Sequence, residues 1–95
     1  MSTQARASHI LVKTEDQANQ IMKRLADGEE FDKVARRFSS CPSGKQGGDL
    51  GWFGKGMMVP EFEKISFDEQ VGVGKVVGPV KTQFGYHVIK VTGRK

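Results

Sequence analysis

Six of the 12 glycines fall between Ser43 and Gly56, in the run SGKQGGDLGWFGKG, and no other stretch limits the possible folds as much. Glycine adds no chemistry of its own. It supplies positive φ and lets main chain approach main chain or ligand closely. Here Gly44, Gly47, Gly48, Gly51, Gly54 and Gly56 bracket Leu50, Trp52 and Phe53. So bendable a segment, holding that much apolar surface, reads either as the rim of a small hydrophobic pocket or as a long surface loop closing a β-structure. The flanks favour the pocket. Phe38-Ser39-Ser40-Cys41-Pro42-Ser43 precedes the run, and Met57-Met58-Val59-Pro60-Glu61-Phe62 follows it.

Regular structure is legible on both sides. Ile10 and Val12 alternate with His9 and Leu11, so Ala7 to Val12 is expected to be a strand, apolar on both faces and therefore central in a sheet. Thr14-Glu15-Asp16-Gln17 is a capping-box signature. After it, Ala18, Ile21, Met22 and Leu25 fall on one helical face, and Gly28 is placed to end that helix. Phe31, Val34, Ala35 and Phe38 repeat the spacing in a second short helix, with Lys33, Arg36 and Arg37 outward. From Ser39 to Gly48 turn residues take over. Leu50 to Gly54 suits a short strand, and Pro60 to Ile65 a brief helix with proline in its first turn. Val76 to Val80 suits a strand limited by Gly78 and Pro79. In Phe84 to Val91, His87, Ile89 and Val91 share one face, and Tyr86, Val88 and Lys90 the other. The order predicts one α+β domain over residues 1–95, with helices around a small, mostly antiparallel sheet.

Composition narrows the function classes. The net charge is +4, but Lys and Arg are interleaved with Asp and Glu, so nucleic-acid binding is not expected. No apolar run reaches the roughly 18 residues of a membrane helix. The N-terminus has no signal-peptide core, and the single cysteine, Cys41, fits a reducing compartment. A cytoplasmic protein is therefore expected, and the initial Met1 suggests a complete chain.

Three side chains stand out by chemistry: His9, Cys41 and His87. Singly, a histidine in an apolar strand is usually a satisfied core residue, and cysteine is often simply buried. The histidines, however, lie in the first and last strands. If those strands pair, the imidazoles can hydrogen-bond to each other, with a third group such as Thr82 to fix their tautomers. The three are too dispersed, and lack a fourth ligand, for a metal site to be expected. A Cys–His nucleophilic pair remains formally open. Phosphate-loop and serine-elbow motifs are absent.

Taken together, these stretches resemble a known family. Ser8-His9-Ile10-Leu11-Val12-Lys13, Phe38-Ser39-Ser40-Cys41-Pro42-Ser43, Gly47-Gly48-Asp49-Leu50-Gly51-Trp52-Phe53, Met58-Val59-Pro60-Glu61-Phe62-Glu63 and the stretch Gly78-Pro79 to Val88-Ile89 are similar, in order, to the motifs of single-domain parvulins, peptidyl-prolyl cis–trans isomerases. The resemblance covers about Ala7 to Val91. It implies a four-stranded antiparallel sheet surrounded by about four helices, with a groove on the concave side. It also implies non-covalent rotation about X–Pro bonds in client polypeptides, by a monomer that assists folding and needs no cofactor. The family's catalytic positions map onto His9, Cys41, Thr82 and His87. Its proline pocket maps onto Leu50, Met58 and Phe62, with Phe53 adjacent. A serine that some members carry two residues after the threonine is Phe84 here, which is expected to extend the apolar wall. Members that require phosphate before proline insert a basic loop after the first strand. Here Lys13 runs straight into Thr14, so no strict phosphate requirement is expected. The remaining rivals are a module that holds proline segments without turnover and a nucleic-acid-binding domain.

Overall fold

The computed structural model describes residues 3–95. Its elements are β1 (Gln4–Val12), α1 (Glu15–Ala26), α2 (Phe31–Phe38), a 3-10 turn (Pro42–Gln46), β2 (Asp49–Gly54), α3 (Pro60–Ser66), β3 (Val76–Thr82) and β4 (Gly85–Arg94). The four strands form one sheet in the order β2-β1-β4-β3, and every pairing is antiparallel. Three α-helices surround it among the described residues. The expected fourth is a single 3-10 turn, because Pro42, Ser43 and Gly44 favour a tight turn over a continued helix.

Both faces of the sheet are covered, as the apolar faces of β1 require. On one face Ile10, Val12 and Val88 pack against Ala18 and Ile21 of α1 and Phe31, Val34 and Ala35 of α2. On the other, Ala5, Ala7 and Ile89 pack against Phe53 of β2 and Phe62 of α3. The alanines leave the depth that two phenyl rings need. Arg24 and Arg37 lie over the Phe38 ring and cover its outer side, with guanidinium carbons 4.7 and 5.1 Å from its centroid.

Local signals act where the sequence places them. The Thr14 hydroxyl accepts from the Gln17 backbone N–H at 3.1 Å, and the Gln17 amide oxygen accepts from the Thr14 N–H at 3.3 Å, closing the capping box. The strands run further than their apolar patterns. β1 begins at Gln4, since Ala5 and Arg6 are paired on both sides. β3 runs through Pro79 to Thr82. It can do so because it is an edge strand, where proline's missing N–H costs one ladder bond, and its register shifts between Val77 and Val80. Pairing continues to the first and last described residues: the N–H groups of Thr3 and Gln4 both donate to the Lys95 carbonyl, at 2.8 and 2.9 Å. Among the described residues no helix is long and apolar enough to cross a membrane.

Candidate active site

β1 and β4 are central neighbours, and their register pairs His9 with Ile89 and Leu11 with His87. The two histidines are thus diagonal on one face of the sheet, within reach of aromatic side chains. Their rings lie nearly parallel, 18° apart with centroids at 5.1 Å, and the two Nδ1 atoms are 2.9 Å apart. β3 adds the next diagonal step. Val80 pairs with His87 and Thr82 with Gly85, which brings Thr82 Oγ1 to 2.7 Å from His87 Nε2. The expected histidine pair and its threonine therefore form one line across β1, β4 and β3. All three side chains are buried.

The line has a further member that residue type did not reveal. Ser43 Oγ lies 3.2 Å from His9 Nε2. It gets there because the segment after α2 runs alongside β1, beyond the point where the β2 ladder stops at Ser8. The Ser39 hydroxyl accepts from the Leu11 N–H at 3.1 Å, and the Ser40 N–H and hydroxyl both donate to the Leu11 carbonyl at 2.8 and 3.0 Å. The His9 N–H donates to the Gly48 carbonyl at 2.9 Å. So the serines of the Phe38–Ser43 motif take the place of a missing strand. They satisfy backbone groups that would otherwise be orphaned, and they set Cys41 and Ser43 beside the histidines.

Gly48 shows what this glycine run is for. Its φ is +83°, and a Cβ there would collide with the His9 carbonyl oxygen. Gly51, with φ +71°, has open space where its Cβ would be, so it serves turn geometry alone.

Above the histidines opens a cavity of about 510 Å³. Leu50, Met58, Val59, Phe62, Cys41 and Pro42 line it together with the buried His9 and His87, and the exposed Met57 and Phe84 mark its mouth. None of the lining residues is Lys, Arg, Asp or Glu. Of the residues expected here, Leu50, Met58, Phe62, Phe84 and Cys41 all reach the cavity. Phe53 does not. It is 2% exposed and stands behind Phe62, ring centroids 6.0 Å apart, because β2 alternation turns it into the core while Trp52 faces outward. Its role is to support the Phe62 ring, which in turn meets His9 edge-on at 5.7 Å and His87 at 6.2 Å. Leu11, Val59 and Met57 are lining residues that the motifs did not single out.

Burial sets the protonation of the pair. It pushes His9 from 6.5 down to about 4, and a second imidazole beside it adds to the effect. His87 is lowered by burial as well, with Glu61 on α3 pulling the other way. Both rings are therefore neutral at neutral pH, so each offers one donor and one acceptor. The site combines an apolar basin with an uncharged hydrogen-bonding floor.

Comparison with known proteins bears on what such a site does. The family model described as "Rotamase: PPIC-type PPIASE domain" matches residues 3–93. The foldase protein PrsA of Geobacillus kaustophilus is 52% identical over 91 residues, covering 95% of this chain and 32% of that protein. The chain thus spans about a third of the length of the curated relatives it matches. The crystal structure of the peptidylprolyl isomerase PrsA from Bacillus anthracis superposes with a TM-score of 0.93 at 41% identity, over 99% of this chain and 43% of that one. The solution structure of NmPin, the parvulin of Nitrosopumilus maritimus, gives 0.84 at 45% identity, over 98% of this chain and 99% of its own.

Proposed function

The chain belongs to the PPIC-type peptidyl-prolyl cis–trans isomerase family, and on that premise we propose that it turns X–Pro bonds of client polypeptides at the cavity over His9 and His87. The observation that carries this reading is the apolar basin set directly above two neutral imidazoles. Rotation about an X–Pro bond breaks amide resonance, which makes it slow, with a barrier of about 18–20 kcal/mol. No covalent bond need form or break, so the protein must favour the twisted amide over both planar ones.

Leu50, Met58 and Phe62 hold the pyrrolidine ring, a burial worth about 2 kcal/mol. That contribution is much the same in planar and twisted states, so it captures substrate without selecting the transition state. Selection comes from polar groups. As conjugation is lost the carbonyl becomes more ketone-like and the nitrogen more basic, and hydrogen-bonding groups matched to those changes lower the barrier. Each tenfold in rate needs about 1.4 kcal/mol, so a few such bonds remove a fraction of the barrier large enough for useful turnover. His9 and His87 shape the floor, Thr82 holds His87, and Cys41 stands beside the rotating carbonyl as a polar contact and not as a nucleophile.

The uncharged lining supports turnover without phosphate before proline, as does the short passage from β1 through Lys13 to the Thr14 cap. The foldase role in client folding is proposed for the chain by likeness to its relatives. A monomer is proposed: the exposed apolar side chains Met57 and Phe84 belong to the cavity mouth, and those outside it among the described residues are Trp52, over whose ring Lys95 Nζ lies at 4.5 Å, and Val73. The free thiol of Cys41 supports a reducing location, the cytoplasm. The scattered cationic side chains argue against a nucleic-acid partner.

The test is exchange NMR on a set of Xaa-Pro peptides, with and without a phosphoserine before proline. Accelerated cis–trans exchange of the unphosphorylated peptides is expected. Binding without acceleration would replace this reading by a module that only holds proline segments.

A further inference from the structure

The hydrogen bonds around the histidines have a direction, and that direction identifies a residue that the isomerase reading had not used. The Phe84 backbone N–H lies 3.2 Å from Thr82 Oγ1 and can only donate to it. Thr82 is buried, and besides the Phe84 N–H the hydrogen-bond partner of its hydroxyl among the described residues is His87 Nε2. Were its proton turned elsewhere, a buried donor would be left unsatisfied, at a cost of about 1–3 kcal/mol. Thr82 therefore donates to His87 Nε2. A neutral His87 then carries its hydrogen on Nδ1 and donates it to His9 Nδ1. His9 in turn carries its hydrogen on Nε2, and the acceptor waiting there is Ser43 Oγ.

We infer that Ser43 is a positioning residue: its hydroxyl oxygen ends a one-way chain running Phe84, Thr82, His87, His9, Ser43, and thereby holds His9 in the Nε2–H form. The chain ties together two segments that line the cavity. Phe84 stands at the β3–β4 turn, while Ser43 sits in the 3-10 turn directly after Cys41 and Pro42. With Ser43 in place, His9 presents a fixed donor and His87 a fixed ring orientation. Without it, the buried His9 N–H has lost its acceptor, and the reversed direction instead leaves the Thr82 O–H without one, so the two arrangements become comparable in energy. The catalytic consequence rests on the isomerase reading, whereas the proton positions do not.

The experiment uses the full chain labelled with ¹⁵N in its two histidines. Two-bond proton–nitrogen correlation spectra at neutral pH report which ring nitrogen is protonated. In the wild type, His87 is expected as Nδ1–H and His9 as Nε2–H. In Ser43→Ala the His9 tautomer becomes mixed while the amide spectrum stays folded. Its kcat on an Xaa-Pro peptide falls about two- to tenfold, the equivalent of one neutral hydrogen bond, with KM unchanged. Ser43→Thr restores both. A wild-type His9 protonated on Nδ1 overturns the assignment, and this outcome needs no variant to fold. So does Ser43→Ala with the wild-type tautomer, or with a shifted tautomer and unchanged kcat. If the wild type fails to accelerate any Xaa-Pro peptide, the isomerase reading falls instead, and the spectra still decide where the protons sit.

Discussion

His9 is the side chain whose chemistry the fold changes most. In an unfolded chain it takes up a proton near pH 6.5, whereas in place it does so only near pH 4. Between those values the unfolded chain binds a proton that the folded one refuses, so stability is full above pH 6.5 and declines as pH falls toward 4. The loss attributable to His9 amounts to about 3 kcal/mol at the lower end. Ring resonances followed through the titration should place the His9 midpoint near 4, with that of His87 also below its ordinary value, and isomerase activity should hold level from pH 8 down to about 6. A His9 midpoint near 6.5 would mean that the ring is solvated. Cys41 gives the second residue-scale prediction. If it acts as a polar contact, Cys41→Asp keeps most of kcat/KM and Cys41→Ala loses about tenfold, or about 1.4 kcal/mol. An inactive Cys41→Asp together with a trapped covalent adduct would point to a nucleophile. Residue type singled out His9, Cys41 and His87 in the sequence, and Thr82 came in through its nearness to the last strand and through the family resemblance. Ser43 was not visible, because a serine in a turn looks the same whether its hydroxyl meets water or an imidazole.

Among the elements, the segment from Ser39 to Gly48 does the work of a fifth strand without being one. It satisfies the β1 backbone at His9 and Leu11 through serine hydroxyls and a glycine carbonyl. Its last residue, Gly48, should therefore tolerate change less well than Gly51, just beyond it in β2. Gly51→Ala meets only the strain of positive φ, about 1 kcal/mol. Gly48→Ala meets the same strain and also drives a methyl group into the His9 carbonyl, so it should cost clearly more and lower activity as well. Urea denaturation and the isomerase assay on both variants check this, and equal stability loss in the two would show that the Gly48–His9 approach yields freely. The helices were legible because their apolar spacing and caps agree, as at Thr14–Gln17 and at Phe31, Val34 and Ala35. Strand limits were less so. Gln4 to Arg6 and Lys81 to Thr82 carry no alternating pattern and join the sheet because a neighbour is there to pair with them. The 3-10 turn was hidden for a related reason: glycine and proline mark a turn without stating its kind.

At the scale of the whole molecule, the sheet order brings β1 and β4 together at its centre, so the first and last described residues are hydrogen-bonded neighbours. A circular permutant should therefore fold. With a short glycine linker joining the present ends and new ends opened at Gly72, which lies in an exposed loop with free space around it, helix content and exchange activity should persist. An unfolded permutant would show that the β1–β4 pair must form from separate ends. The sheet order could be anticipated only for its central pair, since two histidines in the outermost strands made sense together only if those strands touched. The side-by-side ends have a mechanical meaning too. A pull applied at Thr3 and Lys95 loads the β1–β4 ladder from one extremity, so its rungs give way in succession and never share the tension. Tugged by those two points, the domain should open under a small force, and the imidazoles would separate only after the rungs nearer the ends had gone.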